Sequence, residues 1–331
     1  MKKILVTGCG SLLGQGIIKT ISSSNQSYEI FGTEYIKDSV GLYWVKKAYI
    51  LPDILKKKVK LNNWYLKILK IIKRHKINYL IPGLDFELPI LNKIKLKLEK
   101  NTKCKIIISE KKIIDICSDK WSTSEFLKKN NFAYPNSCLP NNLKYFLKNN
   151  KFPLIVKPRM SSTSRNIFLV RNKKELKLAL EKCPKPVIQE YLFKKNNEYT
   201  CGVIFNPKKN ICLSSVVLHR NLKNGNTIKA TLEKNKKNKI ITNFIVEVTK
   251  KIKPFGPLNF QLCLTKKGPV IFEINPRFSG TTPLRNIFGI NEIQILLNSL
   301  ENKKLRKIQL KQGTIYRYFS DYFIKKGFYY K

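Results

Sequence analysis

A short apolar run followed at once by a glycine-rich turn is the feature that most constrains the fold of this 331-residue chain. Residues 4–7 resemble a buried strand, and a helical pattern of isoleucines begins at Ile17. A turn of this kind between a strand and a helix lets backbone N–H groups approach an anion at the helix N-terminus. The turn between them contains Gly8, Gly10, Gly14 and Gly16.

The segment that follows continues to alternate strand and helix patterns. Strands are predicted at Glu29–Thr33, Tyr79–Pro82 and Lys105–Ser109, with a helix at Trp64–His75 between them. Alternating strands and helices are typical of a parallel sheet with helices on both faces. We therefore expect a doubly wound α/β domain over residues 1–113.

The pattern changes near Asp115, where a helix is predicted at Lys120–Lys129 and a proline-punctuated segment follows. From Pro153 onward strand-like runs dominate, which indicates an α+β region with mostly antiparallel strands. The predicted strands are Leu154–Lys157, Ile167–Val170, Val187–Glu190, Tyr199–Phe205, Ile211–Leu218, Leu258–Leu264 and Val270–Ile274, with helices at Lys173–Lys182 and near Asn243–Lys253.

The formal net charge of +44 first suggests a nucleic acid or a membrane surface as partner. Only nine of the 65 basic residues are arginine, and the chain contains 31 asparagines, a joint excess typical of A/T-rich codon usage. The lysines are dispersed, without the interleaved arginine and aromatic residues of a single-strand-binding surface. We therefore expect no nucleic-acid partner, although a basic surface would steer anionic substrates towards the protein.

The eight cysteines contain no C-x-x-C pair, and the chain has only two histidines, which argues against a zinc site. Scattered free thiols fit a reducing compartment. No apolar run approaches the roughly 18 residues that a membrane span needs. We expect a cytoplasmic protein with no membrane partner.

Oxygen donors lie at the end of an apolar strand in the second half of the chain. Glu273 and Asn275 are two residues apart and therefore point to the same face of the strand. Gln261 lies in a preceding strand that could pair with this one through a hairpin at Lys266–Gly268. Together the three side chains could hold Mg²⁺ against a polyphosphate. Alone, the Glu-x-Asn pattern is more typical of side chains that cap a strand and satisfy a turn than of a metal site.

A second set of residues has the chemistry of phosphate binding. Lys157 ends a buried-type strand, and a lysine beside a flexible hydroxyl-rich loop offers a point charge and adaptable donors. The loop contains Ser161, Ser162, Thr163 and Ser164. Further on, the apolar strand that ends at Tyr191 and Leu192 leads to Glu198, which could place a backbone edge and a carboxylate beside a purine nucleoside.

The order of these pieces resembles the ATP-grasp superfamily, most closely the branch that includes the large subunit of carbamoyl-phosphate synthetase. The resemblance covers roughly residues 1–295, and the segment Ile81–Glu87 is similar to the domain that precedes the ATP-grasp unit in that branch. It rests on Asp119-Lys120, Val156–Arg159, Gln189–Tyr191, Glu198–Thr200, Asn259–Gln261 and Glu273–Arg277.

The resemblance implies an α/β N-terminal doubly wound parallel-sheet domain followed by an α+β ATP-grasp domain of two subdomains that enclose the nucleotide. The second domain would span 114–300, with a lid subdomain at about 120–190 and a Mg/ATP-binding subdomain at about 191–300. Residues 301–331 form a basic aromatic tail to which the resemblance assigns no role.

The resemblance also implies a role for each motif residue, with ATP and Mg²⁺ as cofactors and Mn²⁺ as an alternative ion. Arg277, and less securely Arg220, would stabilise the transferring phosphoryl group or a substrate carboxylate. Nucleotide binding would involve Lys120 and Lys157 at the phosphates, Gln189, Glu190, Tyr191 and Leu192 around the adenine, and Glu198 at the ribose. The metal ligands would be Gln261, Glu273 and Asn275.

The implied reaction joins a small-molecule carboxylate to an amine through an acylphosphate, and a homodimer is common among relatives. Carbamoyl-phosphate synthetase contains two copies of this unit, whereas one is present here, so a complete synthetase of that kind is not expected. Relatives often have a G-S-G-S-R-G loop over the phosphates, whereas residues 161–166 contain no glycine. A non-catalytic ATP-binding protein is therefore an alternative.

An NAD-dependent oxidoreductase or epimerase that uses the N-terminal glycine turn is the other alternative. The glycine spacing is similar to that of short-chain dehydrogenases, and Glu34 is a candidate ribose ligand. Such enzymes also need a Tyr-x-x-x-Lys pair. In a chain so rich in lysine, pairs such as Tyr191 and Lys195 arise by chance and carry almost no weight.

Overall fold

A five-stranded parallel sheet in the order β3-β2-β1-β4-β5 forms the first layer of the computed structural model. The structure describes residues 1–24, 26–160, 166–194, 196–305 and 307–325. The strands are β1 (Lys2–Val6), β2 (Tyr28–Glu34), β3 (Lys47–Ile50), β4 (Tyr79–Ile81) and β5 (Lys105–Ile106).

Helices cover both faces of this parallel sheet. Trp64 and Leu91 pack with Leu5 and Leu80 in one apolar core, whereas Ile17 lies in a second core on the other face. The prediction of a doubly wound α/β arrangement is therefore confirmed. The helices are α1 (Leu12–Ser22), α2 (Leu61–His75) and α3 (Glu87–Asn101), and a 3₁₀ turn spans Val40–Tyr43.

A small antiparallel sheet in the order β6-β9-β7-β8 follows, with its own apolar core. Its strands are β6 (Ser137–Cys138), β7 (Leu154–Pro158), β8 (Phe168–Val170) and β9 (Pro186–Glu190). The helices of this part are α4 (Lys111–Ser118), α5 (Lys120–Lys129), α6 (Leu143–Asn149) and α7 (Lys173–Lys182), and a 3₁₀ turn spans Pro140–Asn142.

The third sheet is antiparallel, has six strands and follows the order β14-β13-β10-β11-β12-β15. Its strands are β10 (Glu198–Asn206), β11 (Ile211–Lys223), β12 (Asn226–Leu232), β13 (Gly256–Thr265), β14 (Gly268–Asn275) and β15 (Gly313–Tyr316). The remaining helices are α8 (Lys236–Ile252), α9 (Thr282–Ile287) and α10 (Glu292–Leu300).

The apolar core of the first sheet extends into the C-terminal half of the chain. Phe278, Ile293 and Leu296 are buried in the same cluster as Val6 and Ile17. The loop after β14 and the helix α10 therefore pack directly against the N-terminal sheet. The division of the chain near residue 113 stays a prediction.

Most predicted elements differ from the structure by one to three residues at an end, and β11 ends five residues later than predicted, at Lys223. The strand expected at Lys105–Ser109 ends at Ile106. Helix α8 begins at Lys236 instead of Asn243, because the side chain of Asn235 accepts a hydrogen bond from the backbone of Asn238 and caps a first turn without apolar residues. Apolar periodicity cannot reveal such a turn.

All eight cysteines are free thiols, as expected. Burial raises the pKa of most of them, including that of Cys9 to about 12. Among the described residues, no helix is long and apolar enough to cross a membrane.

A buried carboxyl group lies at the carboxyl ends of the parallel strands. Glu87, the first residue of α3, is fully buried, and its two oxygens accept hydrogen bonds from Thr7 Oγ1 and, at 2.7 Å, from the Tyr35 hydroxyl. Burial, with a smaller contribution from the nearby Glu34, raises the pKa of Glu87 to about 7, although its hydrogen bonds to Thr7 and Tyr35 oppose the shift. Near pH 7 this group therefore exchanges a proton in the folded chain.

Glu87→Gln is expected to remove a pH dependence of stability. Because the pKa of Glu87 is higher in the folded chain than in the unfolded chain, protonation of Glu87 stabilises the folded chain. This stabilisation is fully present at low pH and is lost as the pH rises through 7. The free energy of unfolding of the native chain should fall relative to that of the variant by about 2 kcal/mol between pH 5 and pH 8. Urea unfolding at both pH values measures this. If the free energies of unfolding of the native chain and the variant differ by the same amount at both pH values, the assignment is contradicted. It is also contradicted if the control Glu181→Gln, at an exposed position, shows the same change with pH as Glu87→Gln.

Candidate functional site

Five predicted site residues form one hydrogen-bonded row across the six-stranded sheet. Arg220 donates to Glu198 at 2.5 Å and to the amide oxygen of Gln261 at 2.7 Å. The amide groups of Gln261 and Asn275 both donate to Glu273 Oε1, at 3.2 and 3.0 Å. We call these five side chains the polar row. The structure thus brings the predicted metal ligands together with Glu198 and Arg220.

A β-bulge in β14 places an aromatic ring beside the polar row. Gln261 is paired with Glu273, but the next pair is Leu262 with Ile271, so Phe272 is an extra residue. Ile271 and Ile274 lie in the apolar core beneath the sheet. The bulge therefore turns two consecutive side chains, Phe272 and Glu273, to the same side of the sheet.

Two buried lysines from the preceding part of the chain face this aromatic ring and carboxylate. Lys157 Nζ on β7 lies 5.5 Å from the ring centroid of Phe272. Burial, together with the charge of Lys120 at the start of α5, lowers the pKa of Lys157 to about 7, although Glu273 opposes the shift. The small sheet and the large sheet therefore meet with lysines on one side and a carboxylate on the other, and we call this junction the cleft.

An aromatic wall closes the end of the cleft next to β9. The rings of Tyr191 and Phe193 lie 5.6 Å apart, and Phe193 lies 5.1 Å from Phe272. The carbonyl of Leu192 accepts a hydrogen bond from Asn197 at 2.9 Å, which holds the segment between β9 and β10. The wall consists of three aromatic rings, with interplanar angles of 51° and 62° between neighbours, beside the segment that joins β9 to β10.

Two predicted nucleotide-binding side chains are engaged outside the cleft. Gln189 is 2% exposed and donates to Ser124 and Ser137 at 3.2 and 2.8 Å. The carboxylate of Glu190 accepts from the backbone of Asn136 at 2.8 Å. Both side chains therefore fasten β9 to the segment around β6.

Arg277 connects the end of β14 to the N-terminal sheet. Its Nε and Nη2 donate to the two carboxylate oxygens of Asp85 at 2.7 and 3.3 Å, and Nη1 donates to the carbonyl of Phe278 at 3.2 Å. The guanidinium is therefore held in one orientation beyond the polar row. The predicted phosphate loop, Ser161, Ser162, Thr163 and Ser164, lies outside the described residues.

The glycine turn after β1 is filled by the protein itself. The N–H of Gly10 donates to Glu34 at 2.7 Å, and a Cβ on Gly10 would lie 1.5 Å from Ser39 Oγ. A Cβ on Gly41 would lie 2.1 Å from the carbonyl oxygen of Cys9. The glycines thus permit close packing of the 39–41 segment, where a dinucleotide phosphate would have to lie. This geometry argues against the NAD-dependent alternative.

The donor set of the polar row fits a magnesium ion that shares its coordination with phosphate. Glu273 supplies one carboxylate, and Gln261 and Asn275 supply amide oxygens once their amide groups rotate away from Glu273. Among the described residues, no three His, Cys, Asp or Glu side chains converge on a metal position. Mg²⁺ commonly takes few protein ligands and completes its shell with phosphate oxygens and water.

Residues 117–281 match the protein family described as the ATP-grasp domain. The chain has the ATP-grasp fold, with the N-terminal parallel sheet and the two antiparallel sheets arranged as the sequence predicted.

Curated relatives match only part of their own length. The chain is 27% identical to an uncharacterised protein of Mycoplasma genitalium over 48% of this chain and 60% of that protein. It is 39% identical to a D-alanine–D-alanine ligase of Fusobacterium nucleatum over 16% of this chain and 18% of that enzyme. The match thus spans less than two thirds of either relative.

Solved structures match nearly the whole chain. The biotin carboxylase domain of Hydrogenobacter thermophilus 2-oxoglutarate carboxylase, a dimer with Mg-ADP and bicarbonate, has a TM-score of 0.73 at 16% identity, covering 95% of this chain and 73% of that one. N5-carboxyaminoimidazole ribonucleotide synthetase from Thermotoga maritima has a TM-score of 0.66 at 20% identity, covering 94% and 78%. At such identities the likeness shows the fold alone.

Sequence reasoning missed three residues of the site. Phe272 precedes Glu273 in a strand pattern that places it on the opposite face, so only the bulge reveals it. Phe193 follows a predicted strand without a recognisable motif. Asp85 lies in a segment that the sequence singled out, but its pairing with Arg277 joins positions 192 residues apart.

Lys157→Met is expected to stabilise the folded chain. The folded pKa of Lys157 lies below its unfolded value of 10.5, so burial of the charge is fully unfavourable below pH 7 and the penalty disappears as pH rises towards 10.5. The variant should gain about 2 kcal/mol or more at pH 6 and less at pH 9. Urea unfolding at both pH values measures the gain, with exposed Lys177→Met as control. A loss of stability at pH 6 would contradict the proposed electrostatics.

Proposed function

We propose that this protein is an ATP-dependent ligase that activates a carboxylate as an acylphosphate and joins it to an amine. The observation that carries the proposal is the cleft in which Lys157 faces Phe272 and Glu273. The two lysines are desolvated and lie opposite a single carboxylate, which favours a polyanion, and the aromatic wall beside them favours a purine base.

The nucleotide is proposed to span the cleft from the aromatic wall to the lysines. The adenine lies against Tyr191 and Phe272, with the backbone of Leu192 at its edge, and Glu198 approaches the ribose hydroxyls. Lys120 and Lys157 bind the phosphates as point charges. Gln189 and Glu190 support this arrangement indirectly, because their side chains hold β9 in place.

The metal ligands are proposed to be Gln261, Glu273 and Asn275. When bound there, Mg²⁺, or Mn²⁺ in its place, neutralises phosphate charge and aligns the γ-phosphate for transfer. Arg220 keeps Glu198 and Gln261 in position through its hydrogen bonds to both.

The proposed reaction has two displacements. A carboxylate oxygen of the substrate attacks the γ-phosphorus of ATP, and the bond to ADP breaks, which yields an acylphosphate. The amine nitrogen then attacks the acyl carbon, inorganic phosphate leaves, and the nitrogen loses a proton to solvent. Arg277, held by Asp85, stabilises the negative charge that develops on the transferring group.

The relatives support this class of reaction but do not indicate which substrates this chain joins. One curated relative is a D-alanine–D-alanine ligase, and one structural relative is a ribonucleotide synthetase. The closer likeness to carbamoyl-phosphate synthetase rests on the sequence motifs alone. A cytoplasmic location, small-molecule carboxylate and amine substrates, and a homodimer belong to the same proposal.

Glu273→Gln is expected to abolish ligase turnover. An ADP-release screen over a panel of carboxylates and amines should identify a pair that the native chain joins. For that pair, the variant should lower kcat by about 100-fold or more, because one amide cannot replace the carboxylate at the metal.

The matched control for this experiment is Glu181→Gln, at an exposed position of α7, which should leave turnover unchanged. Unchanged Mg-ATP binding and phosphate release in Glu273→Gln would overturn the metal assignment. Tight Mg-ATP binding by the native chain with no ADP release over the whole panel would favour a non-catalytic ATP-binding protein instead.

A further inference from the structure

The C-terminal segment, for which the sequence predicted no role, is anchored along the large sheet. Its strand β15 pairs antiparallel with β12, and Arg317 extends this ladder by donating its backbone N–H to the carbonyl of Ile228 at 2.8 Å. Before the strand, Lys311 donates to the carbonyl of Phe288 at 2.9 Å. Backbone hydrogen bonds therefore hold the segment on both sides of β15, at Lys311 before the strand and at Arg317 after it.

The side chain of Arg317 reaches the loop that follows the polar row. Its Nη2 donates to the carbonyl oxygen of Gly280, three residues after Arg277. A Cβ on Gly280 would lie 3.2 Å from Leu12, the first residue of α1. Arg317 therefore lies where the loop after β14 meets the start of α1, beside a residue three positions after Arg277 in the chain.

The charge of Arg317 is not balanced by a carboxylate among the described residues. Burial lowers its pKa, and no acidic neighbour opposes the shift. The other buried or half-buried arginines in the described part of the chain each have a carboxylate partner: Arg159 with Asp119, Arg220 with Glu198, Arg277 with Asp85 and Arg285 with Glu292. A partly desolvated guanidinium without such a partner is suited to bind an external anion.

The guanidinium also retains donors for a ligand. Its described side-chain contact uses one nitrogen, whereas a guanidinium carries five N–H donors in a planar fork that matches a carboxylate. Further along the segment, Tyr322 packs edge-on against Trp44 at 6.2 Å, so the segment returns to the N-terminal sheet. A ligand at Arg317 would therefore lie between this segment and the start of α1.

We infer that Arg317 binds a carboxylate of the substrate that supplies the nucleophile, so that this substrate is an amino acid. The inference rests on the proposed ligase function. In that reaction the activated carboxylate lies beside the phosphates, between the lysines and Arg277. An amine that approaches from the side of the N-terminal sheet passes Arg317, which holds its own carboxylate while its nitrogen points towards the acylphosphate.

Arg317→Gln and Arg317→Lys in the full chain test this inference. ADP release is measured with the carboxylate found in the screen and with each proteinogenic L-amino acid or its α-carboxamide as nucleophile. Arg317→Gln should raise KM for the amino acid about tenfold or more, since one charge-assisted hydrogen-bonded pair is lost. KM for the matching carboxamide and for ATP should be unchanged, and Arg317→Lys should restore part of the loss.

Exposed Arg74→Gln is the control and should leave every constant unchanged. Equal losses with amino acid and carboxamide would overturn the inference, because Arg317 would then only fasten the loop at Gly280. A native chain that uses amines without a carboxylate would also overturn it and would leave the ligase function intact. A selective loss with phosphate-bearing amines would overturn the choice of an amino acid.

Isothermal titration of the same amino acids in the presence of Mg-ADP decides the inference independently of turnover. The native chain should bind an amino acid, and Arg317→Gln should weaken that binding about tenfold. Absence of amino-acid binding by the native chain would overturn the inference. Absence of ADP release with any substrate pair would instead count against the proposed function.

Discussion

The opposition of two buried lysines and one carboxylate across a cleft is the constraint on which the rest of the structure depends. Lys157 and Lys120 are both nearly excluded from water, and Glu273 lies close enough to affect the pKa of Lys157. Such an arrangement destabilises the folded chain when no anion is bound. It persists because two separate apolar cores, one under each antiparallel sheet, fix β7 and β14, the strands that carry Lys157 and Glu273.

The N-terminal sheet completes the site at the other end of the cleft. Asp85, after β4, orients Arg277, and the loop that follows packs on the start of α1. The N–H groups of Gly10 and Gly14 in the turn before α1 are engaged within the protein, by Glu34 and Ser11. The sheet that resembles a dinucleotide-binding domain in sequence thus contacts the end of β14 through the pair of Asp85 and Arg277.

Local signals in the sequence were sufficient for much of the fold. Helices α5 and α7 begin and end as predicted, because Asp119 and Asn172 cap their first turns. The order of motifs also singled out the five residues that the structure joins in the polar row. Other features depend on how distant segments pair, namely the bulge at Phe272 and the partners of Arg277 and Arg317. A single sequence does not specify the register in which such segments pair.

We propose that Mg-nucleotide binds between the small and large antiparallel sheets, and a crystal structure of the protein with Mg-ADP tests this most directly. We expect the adenine beside Tyr191 and Phe272, phosphates at Lys157, and the ion about 2.0–2.1 Å from oxygens of Glu273 and Asn275. A nucleotide bound at the Gly8–Gly16 turn, or one that contacts neither Lys157 nor Glu273, would contradict it.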